Sequence, residues 1–201
     1  MLRKKSLFDK LNFRGKSAKD IYNAYMSNFQ KETEECPCCH SVGNYRIHGY
    51  YNRQLVDYCN GKINTMQLRI LRLKCKLCKH THAVLPDIII PYASYTIRFI
   101  CRIIGEKLTS GASVACICKR FGTSHSLLYR FVNLYKEHKA LWLGVLKSSE
   151  MSPAKFLEDL YTLESFSDFL NKFFEKFAFS FMQGHANPSY YHRRGSERTY
   201  V

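Results

Sequence analysis

Two C-x-x-C pairs constrain this chain more than any other feature of its sequence. Cys36 and Cys39 form the first pair, within CPCC, and Cys75 and Cys78 form the second, within CKLC. Both cysteines of such a pair can reach one ion, and two facing pairs complete a tetrahedral site of four thiolates. We expect these four residues to hold zinc in a structural role, because a closed four-thiolate site leaves no coordination position for catalysis.

The residues between the pairs predict an antiparallel hairpin. Segments 45–58 and 62–75 are rich in β-branched, aromatic and alternating apolar residues, and Asn60-Gly61 between them is a strong hairpin-turn signal. In the second segment the apolar alternation changes phase near Ile70–Leu71, which predicts a β-bulge there. The two C-x-x-C pairs and the hairpin between them together predict a zinc ribbon over residues 36–86.

The other cysteines and histidines of this region leave alternatives open. Cys38 lies inside the first pair and is expected to be a bystander, while Cys59 lies at the hairpin tip, far from the pairs. His40, His80 and His82 are possible substitute ligands. A thiol redox pair is a weaker interpretation, because no βαβ pattern surrounds either C-x-x-C.

After the Pro-bounded segment LPDIIIPYAS, the apolar period changes from two to 3.6. A helix with Ser94 as its N-cap is expected to end at Thr109. A short helix over 113–121 and a second helix capped by Thr123 or Ser124 follow, with Gly122 supplying the turn between them. This pattern predicts a helix-turn-helix within residues 92–140, and a plain helical hairpin is the alternative.

The outer face of the second helix is polar, which suits a helix that enters the major groove of DNA. Arg130 is the best candidate for contact with guanine or phosphate, and the serines near the helix N-terminus suit phosphate. The predicted DNA-binding residues are Ser124, His125, Ser126, Tyr129, Arg130 and Asn133.

Charge favours a polyanionic partner. The net charge is +15, and residues 1–140 contain 24 Lys/Arg against 9 Asp/Glu, whereas residues 141–201 contain 7 of each. We therefore expect double-stranded DNA as the partner of the first two thirds. No apolar run suggests a membrane span or an export signal, so we expect reduced cysteines and a cytoplasmic, nucleoid-associated protein.

The two ends add helices to the predicted organisation. Residues 1–35 are predicted to form a basic arm and then one helix over residues 17–35, with Ser17 and Asp20 as a capping box and an apolar stripe. Residues 150–182 have aromatic residues at helical spacing, for packing within the chain or in a homodimer, and residues 183–201 form an irregular tail. The predicted fold class is α+β: an N-terminal helix, a zinc-ribbon β-hairpin domain, then an all-α helix-turn-helix and C-terminal helices.

The motifs CPCC, HGYY, RLKCKLC and LPDIIIPY, followed by the helix-turn-helix, resemble a bacterial family of domains of unknown function. Members of that family are similar to the N-terminal zinc-ribbon and helix-turn-helix portions of insertion-sequence transposases. The resemblance covers about Cys36 to His138, roughly half of the chain. It implies four cysteine ligands and a role in recognising transposon-end or operator DNA, with a separate transposase as a possible partner.

The chain departs from such transposases after His138. Their RNase H-like domain uses three acidic residues and two metal ions, and only 63 residues follow His138 here. We therefore expect a DNA-binding protein without catalytic activity. Two alternatives stay open: a compact or truncated transposase or nuclease with an unrecognised acidic site, and a zinc ribbon that binds RNA or protein.

Overall fold

A computed structural model of the chain describes residues 16–146, 152–162, 166–177 and 179–184. The fold is α+β, as predicted: a three-stranded antiparallel sheet followed by helices. Its elements are α1 (Ala18–Ser27), a 3-10 helix (Lys31–Thr33), β1 (Tyr45–Cys59), β2 (Lys62–Cys75), β3 (Thr81–Ala83), α2 (Ile97–Thr109), α3 (Val114–Phe121), α4 (His125–Glu137), α5 (Lys139–Leu146), α6 (Pro153–Thr162) and α7 (Phe166–Phe177).

Strands β1 and β2 form the expected long hairpin, which turns at Asn60-Gly61. Both turn residues have positive φ, at 52° and 74°, as a tight hairpin turn requires. The β-bulge lies between Ile47 and Gly49 in β1, so the prediction of a bulge at Ile70–Leu71 is wrong.

The change of phase in β2 has another cause. Its pairing with β1 is regular at Ile70 and Leu71, and both side chains are buried although neighbouring residues of a strand point to opposite faces. Both faces of the sheet are therefore covered at this point. The short β3, which the sequence analysis missed, pairs with β2 near its end.

Helix α1 begins at the predicted capping box of Ser17 and Asp20. It ends at Ser27, earlier than the helix expected to run towards the first cysteine pair. The side chains of Ser27 and Asn28 both donate to the carbonyl of Ala24, which satisfies the helix end and stops the helix there. The stripe of α1 packs into the core, with Ile21, Tyr22 and Tyr25 buried.

A buried carboxylate ties the far end of the hairpin to two helices. Asp57 in β1 accepts hydrogen bonds from the backbone of Ala18, the hydroxyl of Thr96 and the guanidinium of Arg98. Thr96 is the N-cap of α2, so the expectation that Ser94 caps this helix is wrong. The Ser94 carbonyl instead accepts from Val56 along the outer edge of β1.

Aromatic rings connect the hairpin to the helical region. Tyr58, one residue before the end of β1, lies 6.0 Å from the ring of Phe121 in α3. Phe121 and Tyr95 both contact Phe99 of α2, and Tyr95 also meets Phe131 of α4 edge to face. The closed end of the hairpin is therefore packed against α2, α3 and α4. The cysteine pairs lie at its open end, roughly 40 Å away along the strands at ~3.3 Å per residue.

The C-terminal helices add an aromatic core to the same helical region. Trp142 of α5 stacks on Phe156 of α6 with ring centroids 4.3 Å apart, and Tyr135 of α4 donates to the Pro153 carbonyl. Phe173 of α7 and Phe181 join this cluster. Within the described residues, the aromatic segment packs inside one chain. Two other predicted segments, the basic arm up to residue 15 and the tail from residue 185, lie outside the described residues.

None of the helices that the structure describes combines the length and the apolarity needed to cross a bilayer.

Candidate metal centre and nucleic-acid interface

The two C-x-x-C segments form matching turns, which we call the knuckles. The Cys36 N–H donates to the Ser41 carbonyl at 2.8 Å, and the Cys75 N–H donates to the His80 carbonyl at 2.9 Å. The residue after each second cysteine is left-handed, His40 with φ 60° and Lys79 with φ 62°. The two turns therefore have the same pattern of backbone hydrogen bonds and the same left-handed residue after the second cysteine.

The two knuckles bring the four predicted ligands together. Cys36 and Cys78 place their sulfurs 3.6 Å apart, and Cys39 and Cys75 place theirs 3.7 Å apart. In a tetrahedral site with metal–sulfur bonds of ~2.3 Å, the sulfurs are ~3.8 Å apart. The four ligand atoms all lie within 4.8 Å of one another, so the set fits one tetrahedrally bound metal ion.

Ser41 supports the thiolate form of Cys39 and Cys75. Its hydroxyl lies 3.2 Å from the sulfur of Cys39 and 3.6 Å from that of Cys75. Its side chain and backbone lower the pKa of Cys39. Burial opposes ionisation of Cys75, yet hydrogen bonds from Ser41 and from the backbone of Leu77 and Cys78 lower its pKa to about 6. Deprotonated thiols are the form that binds a metal.

His82 lies against the cluster without belonging to it. Its Nε2 is 3.6 Å from the sulfur of Cys36, and its ring packs edge to face on Tyr45. Burial lowers the pKa of His82 to about 4, so the ring is neutral at physiological pH. A neutral ring can donate a hydrogen bond from Nε2 to the Cys36 thiolate, which would orient that sulfur and stabilise its charge.

The remaining residues of the region lie in different places. The Cys38 sulfur is 3.3 Å from Nδ1 of His80, and these two with Cys78 form a second, more exposed group that can hold a metal. His40 is exposed and pairs with Glu35 at 2.5 Å. Cys59 is buried at the far end of the hairpin, where its thiol donates to the Lys16 carbonyl.

Helices α3 and α4 have the connection expected of a helix-turn-helix. Ser113 caps α3, and Gly122 ends it in the left-handed region with φ 61° and ψ 37°. Ser124 caps α4 by accepting from the Leu127 N–H. Cys118, a small residue of α3, is buried. The caps and the left-handed glycine fix both ends of the turn, which sets the direction of α4.

The predicted inner and outer faces of α4 are separated in the structure. Leu128, Phe131 and Val132 are buried against the neighbouring helices. All six predicted DNA-binding residues are exposed: Ser124, His125, Ser126, Tyr129, Arg130 and Asn133. The hydroxyls of Ser124 and Ser126 lie 3.1 Å apart beside the helix N-terminus. Among the described residues, this face is therefore exposed and available for a partner.

A buried carboxylate holds α3 against α2. Glu106 of α2 is 9% exposed and pairs with Arg102 at 2.5 Å and with Arg120 of α3 at 2.9 Å. This contact and the roles of Ser41 and Asp57 were not predicted from the sequence. The spacing of Arg102 and Glu106 on one helical face was a usable signal for the first pair. Contacts between distant segments leave no such local pattern.

Comparison with known proteins adds one result. No curated protein and no solved structure matches the chain, so the comparisons provide no link to transposases. The family model that matches begins at the first cysteine ligand and ends within α4, thus spanning the knuckles, the hairpin and most of the helix-turn-helix. The match covers residues 36–131, which are similar to DUF6431, a family of domains of unknown function.

Proposed function

We propose that this protein is a sequence-specific DNA-binding protein in which a zinc ion stabilises the sheet and α4 reads duplex DNA. The observation that carries the proposal is the exposed polar face of α4, presented by a capped turn on a chain with a net charge of +15. Binding, and not catalysis, is its activity.

The metal in this proposal is zinc. Four thiolates in tetrahedral arrangement are a typical donor set for structural Zn²⁺ in a protein. With all positions filled by Cys36, Cys39, Cys75 and Cys78, the ion supplies folding free energy and no open position for a substrate. His82 and Ser41 orient and polarise the thiolates around it.

Groove recognition follows from the position of α4. Arg130 and Asn133, on the exposed face, have the side chains that bind guanine and adenine edges with paired hydrogen bonds. Ser124 and Ser126 suit a phosphate at the helix N-terminus, where unpaired N–H groups and the helix dipole favour anions. Phosphate contacts fix the register and base contacts supply specificity.

The biological setting in this proposal is a mobile element. The motifs described above resemble the end-recognition portion of insertion-sequence transposases, so the target is transposon-end or operator DNA and a separate transposase subunit is a partner. A homodimer suits paired half-sites, which helix-turn-helix proteins often read one helical turn apart. This setting rests on the resemblance alone.

The test is fluorescence anisotropy of the zinc-loaded protein on duplex DNA from the region flanking its own coding sequence. A shuffled duplex of equal composition and a salt series run alongside. We expect the flanking duplex to bind at least tenfold tighter, which corresponds to about 1.4 kcal/mol. We expect Arg130→Ala to remove that difference, whereas Lys136→Ala, an exposed cation on the same helix, lowers both affinities by a similar factor.

Other results would contradict the proposal in distinct ways. Equal affinity for both duplexes, with a steep loss in salt, would mean that charge alone acts. Preference for RNA of equal length would favour an RNA-binding ribbon. Cleavage of the duplex in Mg²⁺, abolished by one Asp or Glu substitution, would show a nuclease.

A further inference from the structure

The β1–β2 hairpin has an exposed face that neither the metal centre nor α4 uses. Along the middle of the hairpin, alternate residues of both strands point to solvent, and the cross-strand pairs Asn52–Arg69 and Gln54–Gln67 place them on one face. Tyr50 extends this face towards the knuckles and is 49% exposed. We call Tyr50, Asn52, Gln54, Gln67 and Arg69 the hairpin platform.

The opposite face of the same segment is covered. Leu68 and Ile70 are buried there, and the Arg53 guanidinium donates to the carbonyls of Ile90 and Ala93 in the connector before α2. The middle of the hairpin is therefore exposed on the platform face and covered on the opposite face.

The chemistry of the platform selects one kind of ligand. The Arg69 guanidinium lies 4.3 Å from the centre of the Tyr50 ring, so a flat cation and an aromatic ring form one stacked unit in solvent. Aromatic rings and arginine planes stack on unpaired bases, whose faces are inaccessible inside a duplex. The neighbouring amides can both donate to and accept from base edges.

The charge around the platform suits a polyanion. Residues 36–84 contain 8 Lys/Arg and a single acid, Asp57. Asp57 is fully buried and pairs with Arg98, so no carboxylate of this segment reaches the surface. Arg46, exposed, and Lys74, half-buried, are paired across the strands between the platform and the knuckles and extend the positive surface.

We propose that the hairpin platform binds single-stranded nucleic acid by stacking unpaired bases on Tyr50 and Arg69. This site is separate from α4, and the inference does not depend on duplex recognition. A protein with both surfaces would hold a duplex and an adjacent unpaired strand at the same time.

The experiment is anisotropy of the zinc-loaded full chain on labelled oligothymidylate and oligouridylate of about 20 nucleotides, which have little structure of their own. We expect Tyr50→Ala to weaken binding at least tenfold and Tyr50→Phe to keep it within about twofold, because the ring and not the hydroxyl stacks. The two oligomers distinguish DNA from RNA as the source of the strand.

A matched pair of arginines separates stacking from charge. Arg69 and Arg72 are both exposed on β2 but point to opposite faces of the sheet. We expect Arg69→Ala to weaken binding about fivefold or more and Arg72→Ala less than twofold, at unchanged metal content and thermal midpoint.

Equal losses for the two arginine variants, with Tyr50→Ala unchanged, would overturn the proposal in favour of a diffuse charge effect. Absence of oligonucleotide binding at low salt would overturn it as well. The same variants on the flanking duplex test α4 separately: if Tyr50→Ala loses only single-strand binding and Arg130→Ala loses only duplex discrimination, the two surfaces act independently.

Discussion

The two ends of the hairpin are held together by different physics. At the open end, the knuckles gather four sulfurs around one point, with Ser41 and His82 as polar neighbours. At the closed end, Tyr58 meets Phe121 and an aromatic core that runs through α2, α3 and α4. The open end has a set of four sulfurs that can hold a metal ion, whereas the closed end depends on close packing. Each end should therefore fail under a perturbation that the other survives.

The largest effect is expected from Cys75→Ser, which removes one of the two buried ligands. Structural zinc contributes about 10–16 kcal/mol of apparent binding free energy in small domains, so, with zinc in the proposed site, loss of the ion should unfold the knuckles and β3. Measured metal content should fall, and hydrogen exchange should accelerate over residues 36–44 and 75–84 while α2 to α4 stay protected. Cys116→Ser, at an exposed cysteine of α3, is the control and should keep its metal.

Phe99→Ala should give the converse result. Phe99 is fully buried and contacts Tyr95 and Phe121, and removing such a ring costs about 3–5 kcal/mol of unfolding free energy. Urea unfolding followed by the α-helical signal should shift by this amount, with metal content unchanged. Tyr92→Ala, at a ring that is 84% exposed, serves as the control and should change little. Release of the metal by Phe99→Ala would show that the two ends are one cooperative unit.

Gly122→Ala should weaken the helix-turn-helix by a smaller amount. Gly122 is left-handed, with open space where a Cβ would lie, so the cost is backbone strain of about 1 kcal/mol and not a steric clash. The thermal midpoint should fall by a few degrees. An unchanged midpoint would mean that the turn tolerates a side chain and does not fix the direction of α4.

A pH-dependent effect is expected in the aromatic core of the C-terminal helices. Burial among Phe173, Phe179 and Phe181 lowers the pKa of His138 below its usual 6.5, against a weaker opposing effect of Glu137. The unfolded chain therefore binds a proton at His138 more readily than the folded chain does. The contribution of neutral His138 to the free energy of unfolding is fully present above pH ~6.5 and declines as pH falls below that value. His138→Phe should reduce the loss of urea stability between pH 7 and pH 5, and an identical pH profile in the variant would exclude His138 as a source.

The two ends of the hairpin also differ in how well the sequence predicts them. Ligand spacing and an Asn-Gly turn are local signals, so the hairpin and the grouping of the four cysteines could be inferred from the sequence. The predicted caps at Ser17 and Ser124 also rested on local signals. The fold class was confirmed because the change in apolar period separates sheet from helices.

What the sequence could not supply was contact between distant segments. The bulge was misplaced because Ile70 and Leu71 were assumed to point to the same covered face of the sheet. In the structure they point to opposite faces, and both faces are covered there. The wrong N-cap followed from ignoring Asp57, which fixes Thr96 from 39 residues away. The predicted domain boundaries and the DNA contacts of α4 stay predictions.

The central claim, that α4 reads duplex DNA from a scaffold held by a metal, is tested most directly by one ratio. That ratio is the affinity for the flanking duplex divided by the affinity for the shuffled duplex, measured for the wild-type protein and for Arg130→Ala at equal metal content. The account predicts a ratio of about ten or more for the wild-type chain and about one for the variant. A wild-type ratio of one, or a ratio that survives Arg130→Ala, would contradict it.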